Sequence, residues 1–171
     1  WLTTRIEGRR QGRTRLLNKL PNGRVLRVIE RRTRSGGLIG IHSDVTALHE
    51  GKRRLDNIIT GADVGTWEWC VASGEQYVND RWLDMIGYAR EELEPVTIDT
   101  WSSLVHPDDL TIIDPDIKAT LSGETEAFEG VFRMQHKHGH WVWVQTRGRV
   151  FRRDLGGNPE VMAGVHIDIT R

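Results

Sequence analysis

A short segment that occurs twice constrains this chain more than any other feature of its sequence. Residues 40–46, Gly-Ile-His-Ser-Asp-Val-Thr, match residues 164–170, Gly-Val-His-Ile-Asp-Ile-Thr, position by position. In each copy the segment closes a pattern that begins with a tight turn, continues as a strand and passes through a second turn. Repeated segments indicate repeated structural units, so we expect two related units in tandem.

The first copy predicts three strands. Two of them are expected over residues 13–20 and 24–34, on either side of Pro-Asn-Gly at residues 21–23. The Asn-Gly pair there supplies the positive φ angles that a type I′ hairpin turn requires. A third strand is expected over residues 39–45, where apolar residues alternate with polar residues or glycine.

Residues 1–46 contain too few elements to bury a core. Residues 1–12 have the pattern of the end of a helix, and three strands with one short helix are rarely stable alone. We therefore expect residues 1–46 to be the back part of a domain. Residues 47–61 predict a linker helix that pairs with a partner chain, because an a/d-like apolar stripe runs along it. The stripe consists of Leu48, Leu55, Ile58 and Ala62.

Residues 62–171 predict a complete α+β domain. Two short strands are expected around Ser73-Gly74, and a helix follows between Asn79, as its N-cap, and Gly87. The other predicted elements are helices at residues 90–93 and from 107 to about 121, and strands at residues 127–137, 140–153 and 160–170. An antiparallel sheet with its helices on one face fits this order. The apolar face of the final strand is Val161, Ala163, Val165, Ile167 and Ile169, with His166 and Asp168 opposite.

Charge is distributed unevenly along the chain, although the net charge is zero. Residues 1–55 contain 14 Lys and Arg residues and four acidic residues, whereas residues 56–171 contain 10 and 20. Such asymmetry can mark nucleic-acid binding. Here the arginines alternate with apolar residues along strands, which favours the solvated face of a sheet and disfavours a nucleic-acid partner. No membrane segment is visible, and the single Cys70 fits a reducing, cytoplasmic location.

Several motifs of the second unit resemble those of PAS domains, in the Trp-rich bacterial variant with its C-terminal PAC part. These are Asn79-x-x-Trp82, Met85-Ile86-Gly87-Tyr88, Glu92-Leu93, Trp101, His106-Pro107-Asp108-Asp109, Trp141-Val142-Trp143-Val144 and Asp168-Ile169-Thr170. The resemblance covers residues 62–171 completely, and residues 1–46 resemble the C-terminal half of a second PAS domain. It implies a five-stranded antiparallel sheet with helices on one face.

The same resemblance implies a sensory or relay module of a bacterial multidomain signalling protein. The usual effectors in the family are histidine kinases and diguanylate cyclases, and the Asp-Ile-Thr end feeds the helix that leads to them. The chain itself carries no catalytic effector signature, so we do not expect it to be an enzyme. The alternative is a PAS module that binds no ligand and serves only dimerisation, through the linker helix and the sheet.

The tryptophans form either a filled core or the wall of a ligand pocket. Large aromatic residues pack a small domain efficiently, so a filled core is the simpler expectation and a pocket the hypothesis. The pocket candidates are Trp67, Trp69, Trp82, Met85, Trp101 and Trp143, with Trp67 and Trp143 preferred. Cys70 lies outside an Asn-Cys-Arg-Phe-type run, which disfavours a covalent flavin. His106 suits the start of a helix without any haem, and a non-covalent small molecule or FAD remains open.

His136, His138 and His140 have the appearance of a metal site. No cysteine or carboxylate completes a tetrahedral set nearby, so a solvated hairpin tip is favoured and no metal is expected. The residues expected to transmit a signal are Asp168 and Thr170, with Asp44 and Thr46 at the equivalent positions of the first copy. A carboxylate at the end of a strand can accept hydrogen bonds from the backbone of the outgoing helix and so couple the two. Simple capping of that helix would use the same bond.

Overall fold

The structure, a computed structural model, describes residues 13–170. The helix end predicted over residues 1–12 lies outside the described residues. The chain divides into two compact units, one up to Ile58 and one from Ile59 onward. Among the described residues, no helix combines the length and the apolar character needed to cross a membrane.

The first unit contains one antiparallel sheet. Its strands are β1 (Arg13–Lys19), β2 (Val25–Arg32) and β3 (Leu38–Asp44), in the order β1-β2-β3, as predicted. Helix α1 (Thr46–Gly61) follows, and none of its residues is buried.

The turn between β1 and β2 differs from the predicted type I′ turn. Gly23 has a φ of 84°, whereas Asn22 is not among the described residues with positive φ. The Gly23 amide donates to Leu20 O at 2.9 Å, and the Leu20 amide donates to Arg24 O at 2.8 Å. This is a three-residue loop with a glycine bulge, which Pro21 favours because its fixed φ suits the first central position of a type I turn.

The same loop geometry recurs in the second unit, where the Gly139 amide donates to His136 O and the His136 amide donates to His140 O. Gly139 has a φ of 88°. The pairing of the strands also corresponds in the two units. Gly40 and Gly164 are equivalent positions of the repeat, and they pair with Glu30 and Gly148, respectively. The repeat therefore extends from sequence to hairpin geometry.

The second unit is a five-stranded antiparallel sheet with four helices. Its elements are β4 (Gly65–Cys70), β5 (Gln76–Val78), α2 (Asp80–Ile86), α3 (Arg90–Leu93), α4 (Ile98–Leu104), α5 (Pro107–Ser122), β6 (Phe128–Gln135), β7 (Trp141–Arg153) and β8 (Pro159–Asp168). The strand order is β5-β4-β8-β7-β6, so the last strand of the chain lies in the middle of the sheet. The predicted α+β class is confirmed.

Two helices differ from the prediction. Helix α4 was not predicted; it begins after Thr97, whose Oγ1 accepts a hydrogen bond from the Thr100 amide at 3.2 Å and so caps the first turn. Helix α5 contains Pro115 and runs as one helix from Pro107 to Ser122, slightly beyond the predicted end at about residue 121.

One face of the five-stranded sheet packs against the helices, and in β8 this is the face that carries His166. His166 is only 3% exposed and lies on the inner face opposite Thr146, whereas Ile167 is 38% exposed on the outer face. The predicted division of this strand into two faces holds here, and the face with His166 is the one that meets the helices. The inner face of β8 carries Gly164 and His166, which accommodate tryptophan side chains.

Candidate functional site

A cavity of about 30 Å³ lies between the inner face of the sheet and the helices. It is lined by Trp67, Trp69, Gln76, Trp82, Ile98, Trp101, Ile117, Phe128, Met162 and His166. Four of the six predicted pocket residues are therefore brought together around it. A space of this size holds roughly two water molecules, far less than a flavin would need.

The other two predicted pocket residues lie elsewhere. Met85 is buried in the same core but does not line the cavity. Trp143 is 45% exposed, with the Arg133 guanidinium 5.4 Å from the centroid of its ring. The prediction that Trp143 faces the pocket is wrong, because the alternation along β7 turns its neighbours Val142 and Val144 inward instead.

Trp67 lies against a pair of glycines in the middle of the sheet. Gly148 and Gly164 are directly opposite each other on β7 and β8, and Trp67 pairs with Gly164 across β4 and β8. A Cβ atom at Gly148 would be 2.5 Å from Trp67 Cη2, and one at Gly164 would be 2.6 Å from Trp67 Cζ2. Only glycine allows the indole to approach the backbone this closely.

Trp82 and His166 connect the helices to the sheet. Helix α2 starts at Asn79, whose Oδ1 accepts from the Trp82 amide at 3.0 Å. The Trp82 Nε1–H in turn donates to His166 Nδ1 at 2.9 Å. Burial lowers the pKa of His166 to about 3, so the imidazole is neutral at physiological pH and carries its proton on Nε2. The sequence analysis placed His166 opposite the apolar residues of its strand and did not include it among the pocket residues.

Three polar atoms in the residues that line the cavity have no hydrogen-bond partner in the described part of the chain. They are Nε1 of Trp67, Nε1 of Trp69 and Oε1 of Gln76. Trp67 and Trp69 are two residues apart on β4 and share its inner face, and Gln76 is directly opposite Trp69 on β5. The lining residues of the cavity therefore include two unpartnered donors and one unpartnered acceptor among side chains that are mainly apolar.

A second arrangement lies where the chain leaves the sheet, at Asp168 and Thr170. Asp168 Oδ1 accepts from the Thr170 amide at 2.8 Å, and Thr170 Oγ1 accepts from the Trp143 amide at 2.9 Å. The Ile169 amide donates to Trp143 O at 2.9 Å. Two consecutive residues after β8 are thus fixed to one residue of β7. We call Asp168, Thr170 and Trp143 the exit junction.

The first copy has the same junction. Asp44 Oδ1 accepts from the amide of Thr46 at 3.0 Å, and Thr46 Oγ1 accepts from the Val25 amide at 2.9 Å. The pKa of Asp44 is lowered to about 2, first by the hydrogen bonds from Thr46 and then by that from Arg24. When the strand pairings of the two copies are aligned, Val142 of the second copy occupies the position of Arg24 in the first. The hydrogen bonds of the aspartate and the threonine at the end of the strand are shared by the two copies, and the arginine contact belongs to the first.

The histidines that were considered as haem or metal ligands make contacts within the protein. His106 Nδ1 accepts from the Asp108 amide at 3.2 Å and caps α5, as predicted. His136 stacks on His140 with ring centroids 4.2 Å apart, and its pKa is lowered by burial and by the two neighbouring histidines. No group of three or more potential ligands among the described residues has the geometry to hold a metal ion.

Comparison with known proteins identifies relatives of the second unit. A family model described as the PAS fold matches residues 75–166, more than half of the chain. A crystal structure of a sensory box histidine kinase/response regulator from Burkholderia thailandensis is 26% identical, with a TM-score of 0.59 over 68% of this chain and 85% of that one. Comparison with curated protein sequences gave no match.

Two further solved structures share the fold at lower identity. The N-terminal domain of a diguanylate cyclase with a PAS/PAC sensor from Marinobacter aquaeolei is 22% identical, with a TM-score of 0.54 over 62% of this chain and 94% of that one. A PAS domain of a protein from Colwellia psychrerythraea is 18% identical, with a TM-score of 0.55 over 69% and 96% of the two chains.

Replacing Gly148 with alanine should displace Trp67 and destabilise the second unit by about 1–3 kcal/mol, because the new Cβ overlaps the indole. The measurement is urea denaturation followed by tryptophan fluorescence. Gly130→Ala on β6 is the matched control, since a Cβ there meets only ordinary contacts of 3.6 Å or more. Equal denaturation midpoints for the two variants would contradict the close packing of Trp67.

The stability of the second unit should decrease as the pH falls below about 6.5. The unfolded chain then binds a proton at His166 that the folded protein excludes until about pH 3, at a cost of up to about 1.4 kcal/mol per pH unit. The measurement is the melting temperature of the wild type and of His166→Gln from about pH 7 to about pH 4. The melting temperature of His166→Gln should depend less on pH than that of the wild type. His138→Gln, at an exposed position, should retain the wild-type dependence; identical slopes in all three proteins would exclude this role of His166.

Proposed function

This chain belongs to the PAS fold family, and on that premise we propose that it relays a change in the core of its second unit, through the exit junction, to a downstream effector. The solved relatives with histidine kinase and diguanylate cyclase in their names favour an effector of one of these two types. The chain would then be a cytoplasmic regulatory segment without catalytic activity of its own.

The observation that carries this proposal is the position of β8. His166 lies in the cavity wall and contacts the helices through Trp82, and Asp168 follows two residues later on the same strand and the same face. A change in the cavity that shifts His166 along or across the strand therefore acts on Asp168 directly. Because Thr170 also bonds to β7, such a shift would change the angle at which the chain leaves the sheet.

The alternative is a dimerisation module that holds no ligand. It is supported by α1, where Leu48, Leu55 and Ile58 are all exposed although they are large and apolar. The outer face of the five-stranded sheet also carries exposed apolar residues, including Val131 and Trp143. A sensor predicts a co-purifying or added ligand, whereas a pure dimerisation module predicts none.

Replacing Asp168 with alanine should uncouple the cavity from the effector while the second unit stays folded. The test is a double-mutant cycle in a protein whose effector domain follows this chain, with Trp69→Phe as the change in the cavity. Trp69→Phe should alter effector activity when Asp168 is present and have little effect in the Asp168→Ala background. Asp168→Asn keeps an oxygen acceptor for the Thr170 amide and should preserve the coupling. An effect of Trp69→Phe that is equal in all backgrounds would refute transmission through Asp168.

Replacing Leu55 with aspartate should abolish a dimer that forms through α1, because the substitution places a charge in the apolar stripe. The oligomeric state can be measured by native mass spectrometry or light scattering. Asn57→Asp introduces the same charge on the opposite face of the helix and should leave the dimer intact. A wild-type monomer, or a dimer that survives Leu55→Asp, would show that α1 does not mediate dimerisation.

A further inference from the structure

We propose that the cavity binds a small, uncharged molecule that accepts hydrogen bonds from the indoles of Trp67 and Trp69 and donates one to the side chain of Gln76. This inference deepens the proposed sensory function and rests on it. It concerns the chemistry of the ligand, which we infer from the unpartnered polar atoms of the residues that line the cavity.

The first support is the burial of these unpartnered groups. Trp67 and Gln76 are each 8% exposed, yet Trp67 Nε1 and Gln76 Oε1 have no partner in the described protein. A buried donor or acceptor that is left unsatisfied has lost its hydrogen bonds to water without regaining one in the protein. A molecule that satisfies several of them at once restores these hydrogen bonds when it binds.

The second support is the arrangement of the three atoms on neighbouring strands. Both indoles project from the inner face of β4, and Gln76 pairs with Trp69 on β5. Their side chains all line the same cavity. A molecule with one oxygen acceptor and one adjacent donor can meet both kinds of group, as an amide or an alcohol does.

The third support is the charge of the wall. None of the residues that line the cavity is acidic or basic at neutral pH, since its single titratable residue, His166, is neutral. An ion would lose its hydration in this cavity without gaining an opposite charge. The wall therefore selects neutral ligands over ions of the same shape.

The size of the cavity limits the ligand further. About 30 Å³ accommodates a molecule of a few non-hydrogen atoms. Trp69, Ile98 and Ile117 are the partly exposed lining residues and mark the side nearest to solvent. A larger ligand would have to displace Trp69, the indole that is least enclosed.

Formamide is a suitable probe, because its carbonyl oxygen can accept from both indoles and its amide group can donate to Gln76. The test is a titration of the ¹⁵N-labelled chain, observed at the indole N–H resonances of Trp67 and Trp69, which Trp67→Phe and Trp69→Phe assign. Formamide should shift both resonances to saturation, whereas formate, a charged molecule of similar shape, should leave them in place.

Gln76→Leu should weaken formamide binding about tenfold, the effect of losing one hydrogen bond. Gln145→Leu, at an exposed position on β7, is the matched control and should bind formamide as the wild type does. The inference would be overturned if formamide did not shift the indole resonances or if formate shifted them equally. It would also be overturned if Gln76→Leu did not change the affinity for formamide. The double-mutant cycle at Asp168 uses no ligand, so it tests the relay function separately from the ligand chemistry.

Discussion

The hydrogen bond between Trp82 and His166 is the contact on which the second unit most depends. It connects the helix layer to β8, which lies in the middle of the sheet although it is the last strand of the chain. Both residues are buried, so loss of either partner would leave a polar group of the other unsatisfied in the core. The cavity lies beside this bond and the exit junction lies two residues beyond it. This buried hydrogen bond therefore helps to position both the cavity and the exit junction.

Much of this arrangement could be predicted from local sequence signals. The repeated closing hairpin, the helix that starts at Asn79 and the alternating strands depend on neighbouring residues, and the structure contains all of them. The clustering of Trp67, Trp69, Trp82 and Trp101 was also predicted, because large aromatic residues in a small α+β domain have few places to pack. The hydrogen bonds of Asp44 and Asp168 follow from their position at the ends of strands.

The errors have a common physical origin, which is that both faces of the sheet carry apolar residues. Alternation along β7 and β8 identifies two faces but does not say which one meets the helices, so Trp143 was placed in the pocket and the inward position of His166 was not predicted. The deciding information is non-local, since Trp67 needs glycines on two other strands and His166 needs the indole of Trp82. Gly148 and Gly164 are the sequence signals that could have corrected the assignment, because glycines paired within a sheet mark a close approach.

The pairing of Glu30 with Gly40 in the first copy, where the second has two glycines, has a consequence for how such tandem units diverge. Glu30 stands where the second copy has Gly148, and a Cβ atom at that position excludes an indole packed as Trp67 is. Their exits, by contrast, are built from the same aspartate and threonine. A repeated segment can in this way retain the aspartate and threonine that fix the end of the strand while the residues that face the rest of the unit diverge.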